Sequence, residues 1–231
     1  MSEELPAGAD LPVVLRALCD GAIPAIGITG ASVTVGDSTG AGELMYATDE
    51  VAAGLADLEL TVGSGPGIRA VREGRPVLVP DVVGAADGQL GAAGPAFHER
   101  ARGLGVHAVF AFPLQLGAVR LGVLYLYRDQ RGELGEEGFR RSIALADRLT
   151  HALLGLWAGN DENTRLQGSK ALSRASVHQA TGMLMVQLGT GIDEAFARLR
   201  AYAFAEGLPL KEVADDIVAQ RLRLAHHEED R

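Results

Sequence analysis

Cysteine is nearly missing from this chain: Cys19 is the only one in 231 residues. A single thiol excludes an internal disulfide framework and fits a reducing compartment. Cys19 reads as a small buried hydrophobe, with a redox-sensing thiol as the alternative. Aromatic residues are few, at 5%, so Leu, Ile, Val and Ala must supply the core. No run reaches the roughly eighteen apolar residues of a membrane span. The N-terminal MSEELPAGADLPVV is acidic and lacks the shape of a signal peptide. A cytoplasmic protein with no membrane partner is therefore expected. Metal-ligand spacing is also lacking. His98, His107 and His151 are scattered, and His226-His227-Glu228-Glu229 reads as a solvated charged tail. Gly63, Gly65 and Gly67 have the wrong spacing for a dinucleotide fingerprint. No catalytic arrangement can be identified from spacing. The expectation is no metal, no cofactor and no enzyme.

What is present is a chain long enough for one large or two modest domains. Its net charge is −9, which at first argues against a polyanionic partner. The distribution changes that. Residues 165–231 hold nine Lys/Arg and nine Asp/Glu, whereas residues 1–164 hold twelve and twenty-one, so the acidic excess lies wholly in the first part. A neutral segment needs local placement of its cations to grip a nucleic acid, and its affinity should be modest and salt-sensitive.

The first part reads as mixed α and β. A helix is expected near Leu11–Cys19. Val33 and Val35 alternate with polar residues before a Gly/Ser turn, and Leu44-Met45-Tyr46 follows as a hairpin signal. Helices are expected over Glu50–Leu58, after Pro66 and over Ala96–Leu104, with a short strand at Val77–Val79 and a Gly/Ala-rich loop over Gly84–Gly94. Asp81 reads as a turn residue. The apolar runs Ala108–Leu116 and Arg120–Tyr127, separated by Gly117-Ala118-Val119, predict a central antiparallel hairpin. A long helix follows over Glu136–Trp157. Its stripe of Phe139, Ile143, Ala146, Leu153 and Trp157 could pack on the sheet or pair with a second subunit. The polar stretch Gly159–Asn163 is the best domain boundary.

The last part is the more informative. Val177, Ala180, Leu184 and Leu188 recur at helical spacing until Gly189 and Gly191 break the pattern. Thr190, three residues before Asp193, is an approximate capping signal. Ala195, Phe196, Leu199 and Ala203 mark a second helix, which Gly207 stops. Pro209 opens a third, with Leu210, Val213, Ala214, Ile217 and Val218 on one face. Helices this short must bury their stripes together.

Two resemblances follow. The run Arg174, Val177, Gln179, Ala180, Thr181, Gly182, Met183, Leu184, Met185 resembles the first helix of the ANTAR module, an RNA-binding domain of bacterial antitermination regulators. Ala195, Phe196, Leu199, Arg200 and Ala203 are similar to its second helix. Leu210, Glu212, Val213, Ala214, Ile217 and Val218 are similar to its third. The match spans about fifty-five residues. Many members carry Lys where Thr181 stands, so one phosphate contact is weaker here. Residues about 10–157 resemble a GAF domain, a small-molecule sensor fold with an antiparallel sheet between helical layers. The carrying residues are Gly65, Pro66, Ala70, Pro76, Val77 and Asp81, then Phe112, Pro113, Leu114, Gly122, Val123, Leu124 and Tyr127. Many relatives of this two-domain type have Cys where Gly67 stands, which puts a thiol or chromophore role there in doubt.

Together the resemblances imply an α+β chain: a GAF-type sensor over residues 1–158, a linker over 159–168 and a three-helix ANTAR domain over 169–231. They imply a signal-responsive regulator that binds RNA stem-loops in nascent transcripts and promotes antitermination. RNA contact is expected from Lys170, Arg174, Gln179, Thr181, Arg198, Arg200, Lys211 and Arg221. A homodimer and an unidentified small-molecule signal at the GAF domain are the other expected partners. The alternatives are a ligand-responsive protein-interaction module without RNA binding and a helix-turn-helix DNA binder. Against the latter, no helix carries a dense Arg/Lys/Asn/Gln face.

Overall fold

The computed structural model of the chain describes residues 11–36, 42–85, 94–158 and 175–224. Five strands form one antiparallel sheet: β1 (Gly30–Gly36), β2 (Gly42–Ala47), β3 (Val77–Val79), β4 (Ala108–Leu116) and β5 (Val119–Arg128), in the order β2-β1-β5-β4-β3. The expected β4–β5 hairpin is central. Its turn is tighter than the spacing suggested: Gly117 takes φ +58, so Gly117-Ala118 suffices and Val119 already pairs with Leu116.

Both faces of the sheet are covered, which is why β4 and β5 read as continuous apolar runs rather than alternating ones. On one face Phe110, Phe112, Leu114, Leu124 and Leu126 meet α1 (Leu11–Ile26) and α5 (Gly135–Ala158). On the other, Val109, Ala111, Val123 and Tyr125 meet α2 (Glu50–Val62), α3 (Pro66–Glu73) and α4 (Gly94–Gly103). The first helix runs past its expected end at Cys19 and carries Pro24 in its last turn, with Ile26 buried against the sheet. Cys19 is fully buried, and burial pushes its thiol up to about 12; it behaves as core rather than as a reactive thiolate. In α5, Ala146 and Leu153 are core and Phe139 packs against them, so that stripe faces the sheet; only Ile143, 45% exposed, is turned outward among its described side chains.

Behind α5 come α6 (Ala175–Leu188), α7 (Ile192–Glu206) and α8 (Leu210–Val218). Their expected stripes form a third cluster of Val177, Ala180, Leu184, Leu188, Ala195, Leu199, Ala203, Leu210, Val213 and Ile217. Gly189 and Gly207 adopt the left-handed conformation that ends a helix. The cap of α7 is Gly191 rather than Thr190: the backbone turns one residue later than the side-chain pattern suggested, and no side chain caps it. One member of this third cluster comes from far away. Leu60, on α2, is 3% exposed and packs among the C-terminal helices.

Candidate functional site

A carboxylic acid is buried where three elements of the N-terminal half meet. Glu59, on α2, is 5% exposed. The Gly67 N–H, at the start of α3, donates to Glu59 Oε1 at 2.7 Å and to the Tyr125 hydroxyl at 2.7 Å. Tyr125 stands on β5 and is hydrogen-bonded to the same carboxyl. Desolvation dominates this acid: burial pushes Glu59 up to about 7, against the opposing effect of its bonds from Tyr125, Ile68 and Gly67. The Tyr125 hydroxyl is held well above its usual value, first by burial and then by the Glu59 charge. Beside them lies a cavity of about 30 Å³ bordered by Thr34, Glu59, Leu60, Gly67, Val123 and Tyr125. That is about the room one water needs, so in this conformation the protein's own polar side chains fill the space.

Glycine makes this packing possible. A Cβ at position 67 would lie 2.5 Å from Glu59 Oε2 and 2.7 Å from Tyr125 Cζ. The missing side chain at position 67 is therefore what admits the Glu59–Tyr125 pair. A Gly67→Cys protein should lose about 1–3 kcal/mol of stability through overpacking. Urea melts would measure it; an unchanged midpoint would mean the pair moves aside at no cost.

In the C-terminal helices five of the expected RNA contacts, Thr181, Arg198, Arg200, Lys211 and Arg221, are engaged within the chain. Lys170 and Arg174 lie outside the described residues. Gln179 is exposed on α6. Thr181 corrects the expectation: it is 4% exposed and its hydroxyl donates to the Val177 carbonyl at 2.7 Å, because it faces the helical core one turn below Leu184. Arg198 pairs with Glu194 at 2.9 Å, Lys211 with Asp215 at 2.6 Å and Arg221 with Asp216 at 2.6 Å. Such exposed pairs contribute about 0–1 kcal/mol and exchange readily for a phosphate. Arg200 is different. It is half-buried over the ring of Phe196, with its guanidinium carbon 4.9 Å from the ring centroid, and it covers the end of α2: a Cβ on Gly63 would lie 2.7 Å from Arg200 Cζ. Burial lowers the pKa of this arginine. On α4, Arg100 donates to the Phe204 carbonyl at 3.0 Å and lies 4.7 Å from the Phe204 ring centroid.

The GAF domain model matches residues 8–154 and the ANTAR domain model residues 169–218. The chain belongs to the GAF family, with an ANTAR domain behind it. No curated protein matches it. Among solved structures, the GAF domain of a phosphoenolpyruvate-protein phosphotransferase from Coxiella burnetii is similar at 19% identity and a TM-score of 0.51, covering 66% of this chain and 88% of that one. The GAF domain of the corresponding Acinetobacter protein is similar at 15% identity and a TM-score of 0.49, covering 68% and 89%. A GAF/HD domain protein from Geobacter sulfurreducens gives 14% and 0.46, covering 65% and 94%. The first supports the fold; none carries a function across. GAF and ANTAR domains are regulatory rather than catalytic modules, and among the described residues no helix is long and apolar enough to cross a membrane.

One helix of the GAF domain thus serves both halves. Within α2, Glu59 borders the GAF cavity while its neighbour Leu60 is embedded in the ANTAR core. Sequence reasoning did not single out Glu59. The signal was there, an acid inside the apolar run Leu58-Glu59-Leu60 four residues before Gly63, but an acid within a helix reads equally well as a solvated face. Asp81 is the expected turn residue, accepting from the Val83 N–H at 3.0 Å and pairing with Arg131 at 3.3 Å.

Proposed function

We propose that this GAF–ANTAR protein is a signal-responsive RNA-binding regulator. Its ANTAR domain grips stem-loops in nascent transcripts and promotes antitermination, and its GAF domain sets how available that domain is. The observation that carries the reading is the ANTAR match over residues 169–218, whose motif positions fold here as one three-helix unit. The coupling is supported by α2. A change at Glu59 acts on the same turn of helix that anchors Leu60 in the ANTAR core, and Arg200, a motif arginine, is held against the end of that helix. Displacing α2 frees both.

We assign residues 1–158 to the sensor, 159–168 to the linker and 169–231 to the RNA-binding unit, acting in the cytoplasm. The protein works as a homodimer on paired hairpins, where the second contact gains from effective concentration. The α5 stripe contributes less to that dimer than its periodicity suggested, because Ala146 and Leu153 are spent on the sheet.

The decisive experiment is binding of the whole protein to a panel of stem-loop RNAs and to duplex DNA of equal length. Sequence in RNA is read mainly at unpaired loop bases. Hairpins with unpaired loops should bind best, with a salt slope of roughly 0.7–0.9 per phosphate contact. Equal affinity for DNA would favour a general nucleic-acid binder, and no affinity for either would leave the protein-interaction alternative.

A further inference from the structure

The ANTAR domain has an open groove of about 600 Å³ between α6 and the segment that follows α8. Gln179, Gln187, Gln220 and Arg223 set polar groups on it, and Gly182 with the apolar side chains of Met183, Val186, Ile217 and Leu222 makes up the rest of its lining. We infer that this groove is the seat of a single unpaired nucleobase of the RNA loop, stacked on the α6 backbone at Gly182 with its edge read by glutamine amides and its phosphate met by Arg223. The inference rests on the RNA-binding reading and deepens it.

Gly182 carries the argument. It stands in the middle of α6, where glycine weakens a helix relative to alanine. Packing among the described residues does not require it, since a Cβ there would meet nothing of them within 4 Å. A glycine that is costly to the helix and unused by the fold fits close approach by something from outside. A flat ring could lie there on bare backbone, with the Met183 side chain beside it.

Gln220 is the second, independent sign. It is the one non-glycine residue with positive φ among the described residues, at +58, a strained conformation for which glycine is the usual choice. The backbone is held in this shape as Gln220 N–H donates to the Ile217 carbonyl at 3.0 Å and Arg221 N–H to the Asp216 carbonyl at 2.8 Å. The result places an amide, both donor and acceptor, on the groove. The opposite wall is fixed as well: Gln187 Nε2 donates to the Leu224 carbonyl at 2.6 Å, tying this segment to α6.

Charge agrees with the assignment. Arg198, Lys211 and Arg221 are ion-paired and Arg200 is turned to the GAF domain. Arg223 is the exposed ANTAR cation left without a carboxylate among the described residues. Amides that match base edges, an apolar bed for a flat ring and an arginine without a carboxylate among the described residues together fit a nucleotide.

The test uses the full chain and a stem-loop RNA carrying 2-aminopurine at either a loop or a stem position. The loop probe should change fluorescence on binding and the stem probe should not. Gly182→Ala should weaken RNA binding about tenfold while raising Tm by about 2–4 °C, because alanine suits the helix but stands where the base must lie. Opposite signs on stability and binding separate a contact from a folding defect. Gln220→Gly should keep the fold and lower affinity several-fold, and Arg223→Ala should flatten the salt slope by roughly 0.7–0.9. Wild-type affinity in Gly182→Ala and Gln220→Gly overturns the inference and leaves the RNA-binding reading intact. So does a Gly182→Ala protein that binds RNA normally but changes mass in sedimentation, which would assign the groove to a second copy. If the wild-type chain binds no stem-loop, the RNA-binding reading itself fails and takes this inference with it.

Discussion

A Leu60→Asp protein should lose protection throughout α6, α7 and α8 while its GAF domain stays folded. Leu60 is 3% exposed and belongs to the apolar cluster of the ANTAR helices. The substitution removes a buried leucine and sets a charge in the cluster it forms with the C-terminal helices. The expected loss is about 3–5 kcal/mol, concentrated on the contact between the two domains. Hydrogen exchange would locate it: amides of the C-terminal helices should open, and those of β4 and β5 should keep their rates. If the sheet melts instead, Leu60 belongs to the GAF core. If nothing opens, the ANTAR domain does not need α2 and the proposed coupling fails. Arg100 and Phe204 would hold a remnant of the contact, so residual docking at low salt is compatible with the expectation.

The second large effect belongs to Glu59 and to pH. In the folded protein its carboxyl keeps a proton up to about pH 7, whereas the ordinary value of 4.5 describes the unfolded chain. Below 4.5 both states hold the proton and stability is complete. Between 4.5 and 7 only the unfolded chain releases it, so stability falls as pH rises. Above 7 the loss is complete, at roughly 3 kcal/mol. Glu59→Gln stays neutral throughout, and its amide can still accept from Gly67 N–H and donate to Tyr125. The variant should match the wild type near pH 4 and exceed it by roughly 3 kcal/mol near pH 8. Urea melts of both proteins at the two pH values provide the check, since the other titrating groups are common to both and cancel in the difference. A constant gap across pH would mean that the Glu59 carboxyl is not the titrating group. The same reasoning gives the GAF cavity a lever: whatever stabilises or discharges this acid acts on the helix that carries Leu60.

The linear pattern determined much. Two apolar runs split by a glycine turn placed β4 and β5, a period of three to four placed the three C-terminal helices, and Gly189, Gly207 and Pro209 ended or began elements where expected, because each of these choices is settled by a few neighbouring residues. Resemblance of three spaced motifs to the ANTAR helices and of two residue blocks to a GAF domain implied a GAF domain followed by an ANTAR domain, and both family models match. What the pattern left open was decided by contacts between distant positions. Glu59 meets Gly67 and Tyr125 only because the sheet brings β5 beneath α2 and α3. Pro24 lies inside α1 because packing on the sheet outweighs a lost backbone bond. Thr181 faces inward and Arg200 faces the GAF domain although both stand at motif positions expected on RNA. A sequence records what a side chain can do. Which of those capacities is used depends on what the fold sets within a few ångströms of it, and burial then changes the chemistry itself, as it does for the carboxyl of Glu59.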